Sequence, residues 1–544
     1  MTAALVGALE SLDVLLCEKS AQVGGTSATS AGTVWIPGNS QSRKAGYPDS
    51  PEQIRTYLDA LIENPVPQAI RAAFLESGPA MLDYLEARSE VRFIPTGRHP
   101  DYRELPGATT AGRGLIPDSF DGRLLREDFR LVSPPIEEYM VLGGMMVAKA
   151  DIAPLLGRFK SPANFMHAAR LALRYYLDRL SYPRGTRLTM GNALVARLFY
   201  SLRQKAVPVL LESPIESLLT ENGAVVGASI RHKGDALRVC ARRGVILATG
   251  GWGHDPAMRA ACMPEPTPQY SLAYVGNTGD GVALARGLGA GIRKQRSGGL
   301  WAPASVTRRR DGTRGLYPHF LYDRAKPGLI AVNAAGRRFV NEGCSYHDFG
   351  EAMFEAHKQS PCMPAWLICE SAFVAAYGLG AIHPGTRDLA PHVASGYVTV
   401  ADSLEALAWK IGVDAAGLAA SVAQHNEYAK TGVDLAFGKG STELNRYNGD
   451  PNQPGNPCLK PIVQGPFCAM AVWPADISVS SSLVTDENAR ILDADGKPVA
   501  GLYACGNDMA SIFGGHYPGP GTTLGPAMTF GYRAAMHAAH GKPA

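Results

Sequence analysis

The sequence has no Cys-x-x-Cys motif, and its nine cysteines are scattered over 544 residues. Zinc sites and disulfide frameworks both need cysteines at paired or regular spacings, so we predict neither of them and no metal site. Free thiols are typical of a reducing compartment. The cysteine pattern therefore indicates a cytoplasmic protein.

Long apolar runs and a strong charge of one sign are also missing. No segment has the length of a membrane-spanning helix, and the first residues lack the basic start and unbroken apolar stretch of a signal peptide. The formal net charge is only +4 and charges are intermixed, which argues against a nucleic-acid partner. The motifs Gly-x-Ser-x-Gly and His-Glu-x-x-His are absent, which disfavours two common classes of hydrolase.

What the chain does have is the composition of a globular α/β protein. It contains 46% hydrophobic residues and 60 glycines over a length that suits two or three domains. Its start predicts a helix over residues 3–9 and a strand over 14–17 that leads into Glu18. A helix and then a strand with an acid at its end are typical of a dinucleotide-binding βαβ unit. The sequence starts after the position of that unit's first strand and glycine loop.

The next 140 or so residues predict helices and loops. Residues 51–85 have the pattern of an amphipathic helix, and the Pro-, Gly- and Arg-rich stretch 97–122 predicts an ordered loop. Two apolar helical segments with basic neighbours follow between residues 129 and 187. We favour two helices packed on the protein; the alternative is an amphipathic lid that rests on the inner face of a membrane.

The rest of the chain alternates β-rich and helical segments. Residues 208–243 predict an antiparallel meander, and a buried strand over 244–247 then ends in small residues that let a backbone approach a ligand. A helix is expected from Asp280, and two more at 403–411 and 415–430. The tail predicts a hairpin, a glycine-rich loop and a closing helix, a combination that suits an anion or a polar ring edge.

Four separated segments together resemble one family. They read EKSAQVGGTSATSAGTVWIPGN, ATGGW, IAVNAAGRRFVNEGCSYHDF and GLYACGNDMASIFGGHYPGPGTTLGPAMTFGY. In order and spacing they are similar to the 3-ketosteroid Δ1-dehydrogenases, flavoproteins of a larger group that includes soluble fumarate reductases. The resemblance implies FAD as cofactor and an α/β fold, in which a discontinuous Rossmann-like FAD-binding domain is interrupted by an α+β catalytic domain. The implied parts are 1–305 for the first FAD-binding part with a helical insertion at about 125–190, 306–465 for the catalytic domain and 466–544 for the returning FAD-binding part.

The resemblance also implies which residues face the cofactor. Glu18 would accept both hydroxyls of the adenosine ribose, and the turn at Thr523 and Leu524 would donate N–H groups to the flavin ring. The other residues implied to lie along FAD are Lys19, Gly24, Gly25, Thr26, Ser27, Ser30, Ala31, Gly32, Ile215, Ala248, Thr249, Gly250, Asp280, Gly506 and Asn507. For each residue taken singly, the alternative is an ordinary structural role.

Desaturation beside a ketone needs donors for the developing enolate oxygen, a base for the α-proton and a hydride acceptor. By the resemblance, Tyr517 and Gly521 are the phenol and main-chain donors to the carbonyl oxygen. Tyr346 is the base, and Tyr102 is the partner that hydrogen-bonds it and passes its proton to solvent. The alternative for any single tyrosine is half-buried packing. His347 and His516 are expected to shape the site without a catalytic role.

The implied reaction places a C1–C2 double bond in the A ring of a 3-ketosteroid or a similar fused-ring ketone. It also requires an electron acceptor that the sequence does not identify. The alternatives are a Δ4-(5α) or other enone-forming dehydrogenase, a fumarate-reductase-like enzyme, and a non-catalytic steroid-binding remnant. The last would follow if the glycine loop were lost; we expect instead a start site upstream of Met1, because the downstream FAD motifs are intact.

Overall fold

The computed structural model describes residues 1–62, 66–309, 311–320 and 322–541. Several helices begin after a Ser or Asp whose side-chain oxygen accepts a backbone N–H, among them those after Ser50, Ser161 and Asp414. The helices are α1 (Thr2–Leu9), α2 (Gly25–Thr29), α3 (Ser40–Lys44), α4 (Pro51–Leu61), α5 (Gln68–Arg88), α6 (Lys149–Leu156), α7 (Pro162–Asp178), α8 (Met190–Gln204), α9 (Pro256–Cys262), α10 (Asp280–Arg286), α11 (Tyr346–His357), α12 (Ser371–Tyr377), α13 (Ala390–Ala394), α14 (Leu404–Ile411), α15 (Ala415–Thr431), α16 (Glu443–Asn448) and α17 (Leu524–His540).

The strands are mostly short and form several small sheets and one large one. They are β1 (Leu16–Cys17), β2 (Val34–Trp35), β3 (Phe93–Pro95), β4 (Gly114–Pro117), β5 (Phe120–Asp121), β6 (Met140–Val141), β7 (Met145–Met146), β8 (Arg187–Leu188), β9 (Val209–Leu210), β10 (Ile215–Glu221), β11 (Ala224–His232), β12 (Asp235–Cys240), β13 (Val245–Leu247), β14 (Tyr270–Ser271), β15 (Ile292–Arg293), β16 (Gly299–Arg308), β17 (Arg314–Pro318), β18 (Leu329–Val332), β19 (Ala365–Glu370), β20 (Thr399–Ala401), β21 (Phe467–Val479), β22 (Ser482–Leu483), β23 (Arg490–Leu492) and β24 (Pro498–Ala504).

The large sheet is built around β21, which lies between β16 and β19 in the order β17-β16-β21-β19-β18. The strand is thirteen residues long and buried along most of its length, as expected for a mainly apolar run that is covered on both faces. β14 and β20 also pair with it. The sheet therefore joins chain segments that are up to about 200 residues apart.

A smaller sheet joins the middle of the chain to its end. β13 pairs in parallel with β24, with Val245 opposite Leu502 and Leu247 opposite Ala504. After β24 the chain enters α17, which packs against α1 and α5. The last segment of the chain thus returns to the first.

Several sequence predictions of secondary structure are confirmed. The meander is the sheet β10-β11-β12, and the strand predicted at 244–247 is β13. The predicted helices at 280, 403–411 and 415–430 are α10, α14 and α15, and the predicted tail is β23, β24, a loop and α17.

Three predictions of local structure were wrong in detail. The range 51–85 contains α4, which ends at Leu61, and α5, which begins at Gln68 directly after Pro67; residues 63–65 of the predicted helix lie outside the described residues. The predicted loop 97–122 contains β4 and β5. The first of the two apolar segments begins as the hairpin β6–β7, because positive φ angles at Leu142 and Gly143 turn the chain back before α6 starts. Within the described residues, no helix combines the length and apolar character needed to cross a bilayer.

Candidate active site

Three tyrosines from distant parts of the chain meet in one buried cluster. Tyr102 lies in the loop between β3 and β4, Tyr346 is the first residue of α11, and Tyr517 lies in the loop before α17. Each side chain is 6–7% exposed. These are the three tyrosines that the family resemblance selected, and the structure brings them into contact.

The contacts between these tyrosines are direct. The Tyr102 hydroxyl donates to the Tyr346 hydroxyl at 3.3 Å. The ring centroids of Tyr346 and Tyr517 lie 5.1 Å apart, edge to face, and those of Tyr102 and Tyr517 lie 5.6 Å apart and stacked. Phe320 packs on Tyr346 with ring centroids 4.8 Å apart, and Leu300 belongs to the same apolar cluster. The hydroxyl groups therefore lie in surroundings that exclude most water.

This burial sets the protonation state of the cluster. Removal from water disfavours a phenolate, so burial raises the pKa of Tyr517 to about 12 and also raises the pKa values of Tyr102 and Tyr346 well above their usual range. At neutral pH all three side chains are phenols and can donate hydrogen bonds. A phenol at Tyr346 can accept a proton from carbon only as it gives up its own, and the Tyr102 hydroxyl is within reach of that proton.

The backbone at Gly521 accepts no other residue type. Its φ is +94°, and a Cβ there would lie 2.4 Å from the carbonyl oxygen of Thr33. Within the described part of the chain, no acceptor lies in hydrogen-bond range of the Gly521 N–H. This amide, four residues after Tyr517, is available to a ligand.

The two histidines of the region lie beside the tyrosines. The Nδ1 atom of His347 accepts the backbone N–H of Trp301 at 3.2 Å, and its ring centroid is 5.9 Å from that of Tyr517. Burial lowers the pKa of His347 to about 4, so the ring is neutral at physiological pH. His516 is also buried. That both histidines shape the site without a catalytic role stays a prediction.

A small cavity that is partly open to solvent adjoins the tyrosine cluster, and Leu300 belongs to the lining of both. Its wall also includes Gly506, Asn507 and Thr523, three of the residues predicted to face FAD. Leu524, the fourth predicted residue at this end, is the first residue of α17, so the N-terminus of a 17-residue helix lies at the cavity. Helix N-termini present backbone N–H groups and partial positive charge.

The predicted residues of the Ala-Thr-Gly segment are linked to this cavity. The Asn507 side-chain amide donates to the Gly250 carbonyl oxygen at 3.3 Å. Thr249 is held by Asp508, whose carboxylate accepts its hydroxyl at 2.9 Å and also its backbone N–H. Ala248 is exposed at the end of β13.

The glycine-rich segment near the start of the chain continues the path. The Thr26 hydroxyl accepts the backbone N–H of Tyr274 at 2.8 Å and the side chain of Asn277 at 3.1 Å, and Asn277 also lies against Gly250. The Ser30 hydroxyl bonds the Ser27 carbonyl and the Gly32 N–H, which closes the turn after α2. Further members of this segment are the half-buried Gly24 and Gly25 and the exposed Ala31.

The last group of predicted cofactor residues lies at the end of β1. Glu18 accepts the backbone N–H and the hydroxyl of Ser20, both at 2.9 Å. Lys19 forms an ion pair with Asp280 at 2.6 Å. The Glu18 carbonyl accepts the N–H of Ser213, two residues before Ile215 in β10. Several of the predicted residues are therefore linked: Thr26 reaches Gly250 through Asn277, Gly250 is bonded to Asn507, and Asn507 lines the same cavity as Thr523.

Comparison with known proteins identifies the family of this chain. The model of the FAD binding domain family matches residues 1–524. The chain belongs to this family of flavoproteins. A 4-oxocyclohex-2-ene-1-carboxylate 5-dehydrogenase of Sinomonas cyclohexanicum is 36% identical over 99% of this chain and 92% of its own. A 3-oxosteroid 1-dehydrogenase of Mycolicibacterium smegmatis is 35% identical over 98% of this chain and 94% of its own.

A solved structure also resembles this flavoprotein closely. It is the 3-ketosteroid delta1-dehydrogenase of Sterolibacterium denitrificans in complex with 1,4-androstadiene-3,17-dione, with a TM-score of 0.92 and 38% identity. The match covers 99% of this chain and 97% of that one. Together with the family match, it confirms the predicted fold class, an α/β FAD-binding fold with an inserted part.

The residues of the flavoprotein fit the cofactor. A Cβ on Gly25 would meet no atom within 4 Å, and one on Gly506 would meet only the Ala527 Cβ, at 3.7 Å. Both glycines have positive φ and leave open surface along the series of predicted residues. FAD presents an anionic pyrophosphate and a polar ring edge, which are the groups that N–H donors at loop and helix ends bind.

Some residues of the site were missed by sequence reasoning. Asp508 was not predicted, although it follows directly after the predicted Gly506 and Asn507. It holds the Thr249 loop. Trp35 and Asp101 hydrogen-bond each other beside Tyr102, and both were within or next to segments already singled out. For Asp508 and Asp101, the signal available in the sequence was an aspartate directly beside a residue that had already been singled out.

Proposed function

We propose that this flavoprotein is a 3-ketosteroid 1-dehydrogenase, which introduces a double bond between C1 and C2 of the A ring. One observation carries the proposal: Tyr102, Tyr346 and Tyr517 form one buried cluster with Leu300, and Leu300 also lines a cavity together with residues predicted to face the flavin. The M. smegmatis relative and the S. denitrificans structure, both named for this activity, support it. They do not favour Δ4-(5α) desaturation, fumarate reduction or a non-catalytic remnant.

The proposed carbonyl site consists of two neutral donors. The Tyr517 phenol keeps its proton because burial raises its pKa to about 12. The Gly521 N–H follows four residues later on the same loop and has no competing acceptor in the described chain. Donors fixed in this way stabilise the oxygen as negative charge develops on it, which acidifies the neighbouring C2 proton.

The proposed base is Tyr346, acting through Tyr102. Both phenols are protonated at neutral pH, and in this structure Tyr102 donates to Tyr346 across 3.3 Å. For the relay both hydroxyls rotate so that Tyr346 becomes the donor; Tyr346 then takes the C2 proton as it gives its own to Tyr102, and Tyr102 releases its proton to solvent. The structure favours this relay over a resident tyrosinate, since burial disfavours the charged form. When bound, FAD supplies the hydride acceptor for C1. Repeated turnover also needs an electron acceptor outside this chain.

A second substrate class is supported by the S. cyclohexanicum relative. That enzyme acts on 4-oxocyclohex-2-ene-1-carboxylate, a single-ring ketone. Its desaturation makes the same chemical demands, namely carbonyl donors, a base for the α-proton and a hydride acceptor. The two classes differ in the size and charge of what lies beyond the reacting ring.

The experiment compares both substrates on the purified holoenzyme with an artificial electron acceptor. We expect 4-androstene-3,17-dione to lose two hydrogen atoms, with the new double bond located at C1–C2 by NMR, and with a higher kcat/KM than the cyclohexene carboxylate. The opposite preference would establish the single-ring ketone as substrate. Failure to desaturate either ketone would contradict the proposal.

In the active enzyme, Tyr517→Phe should lower kcat by about a hundredfold, the scale of one lost oxyanion donor.

We further propose that the 125–190 insertion contacts the anionic inner face of a membrane. Met166, Leu173, Leu177 and Leu180 fall on one stripe of α7 and its C-terminal end, with exposures of 56–81%, and Phe159 in the connection between α6 and α7 is 81% exposed. Apolar side chains this exposed mark interaction sites when they are contiguous.

The charges of the insertion suit an anionic lipid surface. Its exposed cations include Arg158, Lys160 and Arg170. The acids of α6 and α7 face inward: Asp151 is 2% exposed and pairs with Arg187 at 2.8 Å, and Asp178 is 4% exposed. The outer face of α6 and α7 therefore combines apolar side chains with uncompensated positive charge. All nine cysteines are free thiols, which suits the cytoplasmic side of such a membrane.

A further inference from the structure

The loop that carries both proposed carbonyl donors is held at its centre by two hydrogen bonds. The carbonyl oxygen of Pro518, next to Tyr517, accepts the Tyr57 hydroxyl at 2.7 Å and the Tyr102 backbone N–H at 2.9 Å. Tyr57 lies on α4 and is fully buried. Burial raises its pKa well above the usual range, so this hydroxyl remains a donor. One carbonyl thus ties the donor loop to α4 and to the segment of Tyr102.

Trp35 fixes the other end of the loop. Its backbone N–H donates to the Gly521 carbonyl oxygen at 3.1 Å. A Cβ on Gly519 would lie 2.5 Å from the Trp35 indole nitrogen, so the loop is in close contact with the indole ring. The same indole N–H donates to the Asp101 carboxylate at 3.1 Å. The position of the indole therefore depends on Asp101.

Asp101 is fixed in turn by a buried network. Its second carboxylate oxygen accepts Arg113 at 2.7 Å and the backbone N–H of Thr109 at 3.1 Å. Arg113 also binds Asp49 at 2.8 Å and is 1% exposed. Asp101 directly precedes Tyr102 in the chain. One carboxylate thus connects the loop of Tyr517 and Gly521 with the residue that receives the proton from Tyr346.

We propose that Tyr57 and Asp101 are positioning residues for the ketone site: they fix the Tyr517–Gly521 loop relative to Tyr102, so that both donors aim at the carbonyl oxygen. This inference rests on the proposed function. Tyr57 acts through the Pro518 carbonyl and Asp101 through the Trp35 indole. Donors preorganised for a developing charge lose much of their effect when displaced, and a shift of about 1 Å can cost about a hundredfold in rate.

The direct test is Tyr57→Phe in the FAD-loaded enzyme. The substitution removes one hydroxyl and leaves the Pro518 carbonyl bonded to the Tyr102 N–H. Because the donors act mainly on the transition state, we expect kcat for 4-androstene-3,17-dione to fall by about ten- to a hundredfold with little change in KM. Binding of estradiol, whose phenolic A ring mimics the enolate oxygen, should weaken, whereas binding of its 3-deoxy analogue should not. Calorimetry on the holoenzyme measures both affinities.

The matched control is Tyr84→Phe, because Tyr84 also lies on a helix of this part but its hydroxyl bonds Glu10, away from the loop. It should retain the wild-type kcat and both affinities. An unchanged kcat in Tyr57→Phe would overturn the proposal. Equal weakening of both ligands, or loss of FAD, would overturn it as well, since either would show a general structural role.

Asp101→Asn tests the second contact independently. An amide has one oxygen and one NH₂ group, so it cannot accept both the Trp35 indole on one side and Arg113 with Thr109 on the other. We expect the same pattern of lowered kcat and selective loss of estradiol binding; wild-type kcat and binding would refute the role of Asp101. If the wild-type enzyme desaturates the ketosteroid and the Tyr57 and Asp101 variants do so at the same rate, only this inference is refuted. An inactive wild-type enzyme would instead refute the proposed function.

Discussion

At the scale of single residues, the proposed role of Tyr346 raises the question of how a buried phenol could serve as a base. Tyr346 is 7% exposed and its pKa lies well above the usual range, which excludes a standing phenolate at neutral pH. Its hydroxyl accepts the Tyr102 hydroxyl at 3.3 Å. In the proposed mechanism, removal of a C2 proton therefore uses both phenols.

We expect Tyr346→Phe to abolish turnover while it leaves steroid binding in place. The ring and its packing on Phe320 remain, so a ketosteroid should still change the flavin absorbance spectrum when it binds. Stopped-flow spectroscopy separates the two effects, since binding precedes flavin reduction. Turnover at the wild-type rate would remove Tyr346 from the role of base.

Tyr517 should leave a signature in the pH dependence of stability. An exposed phenol ionises near pH 10, whereas burial raises the pKa of Tyr517 to about 12. Between about pH 10 and 12 the unfolded chain therefore holds fewer protons than the native protein, and the free energy of unfolding falls as pH rises. Urea unfolding across this range should show a shallower fall in Tyr517→Phe. An identical slope would show that the phenol is not shielded from water.

Residue-level prediction from sequence reached the residues that belong to motifs. Tyr346 and Tyr517 stand within long segments that resemble a family, so their roles could be inferred from that resemblance alone. Tyr57 and Arg113 carry no such mark, because their importance comes from contacts with segments far away in the chain. In the sequence, a tyrosine in an amphipathic helix predicts only a packing role. The fold shows that the Tyr57 hydroxyl donates to the Pro518 carbonyl.

At the scale of elements, periodicity predicted helices and the meander well, and it failed where turns and prolines decided. Asn-Gly and Lys-Gly-Asp marked the turns between β10, β11 and β12, and the apolar run before Ala248 marked β13. The segment 140–146 was expected to be helical because it is apolar. Its Gly143 and the positive φ of Leu142 make a hairpin instead, since local turn geometry overrides average hydrophobicity.

The surface of α6 and α7 gives a prediction at this scale. We expect the protein to bind vesicles of phosphatidylcholine mixed with phosphatidylserine, and to bind less as salt concentration rises. Phe159→Ser combined with Leu180→Ser should weaken this binding by about tenfold or more, since each apolar side chain contributes on the order of 1 kcal/mol when it leaves water. Co-sedimentation with the vesicles measures the bound fraction.

The control for this experiment is Trp409→Ser on α14. Trp409 is 83% exposed, as exposed as Phe159 and Leu180, but lies outside the insertion. Its loss should leave vesicle binding at the wild-type level. Equal losses of vesicle binding in the Phe159 and Leu180 double variant and in Trp409→Ser would contradict an anionic membrane contact of the insertion. Binding to vesicles of pure phosphatidylcholine in place of the mixed vesicles would contradict it as well.

At the scale of the whole molecule, the predicted FAD site brings together two chain segments that are about 250 residues apart. β13 and β24 pair in parallel, and the loops that follow them carry Thr249 and Asp508. Sequence resemblance predicted that the nucleotide-binding part is interrupted, because its motifs stand at both ends of the chain. It could not show which side chain joins the two loops.

Asp508 makes that connection. Its buried carboxylate accepts the Thr249 hydroxyl at 2.9 Å, the Gly251 N–H at 3.1 Å and the Thr249 N–H. We expect Asp508→Asn to lower the FAD content of the purified protein, because the amide NH₂ group must face one of these donors and leave it unpaired. A buried donor without an acceptor costs about 1–3 kcal/mol. Flavin absorbance per protein, measured before and after dialysis, reports the change.

Asp493→Asn provides the comparison that separates cofactor binding from general stability. Asp493 lies in the turn between β23 and β24, the strand that precedes Asp508, and its carboxylate accepts the N–H groups of Asp495 and Lys497, both at 2.9 Å. The same chemical change there disturbs a turn that does not touch the predicted FAD residues. We expect Asp493→Asn to keep its flavin, whereas Asp508→Asn loses it and regains it only at added FAD concentrations well above those the wild type needs. If both variants lose flavin equally, the loss of flavin reflects lower stability of this part of the chain. Asp508 would then have no specific role in linking the two loops for the cofactor.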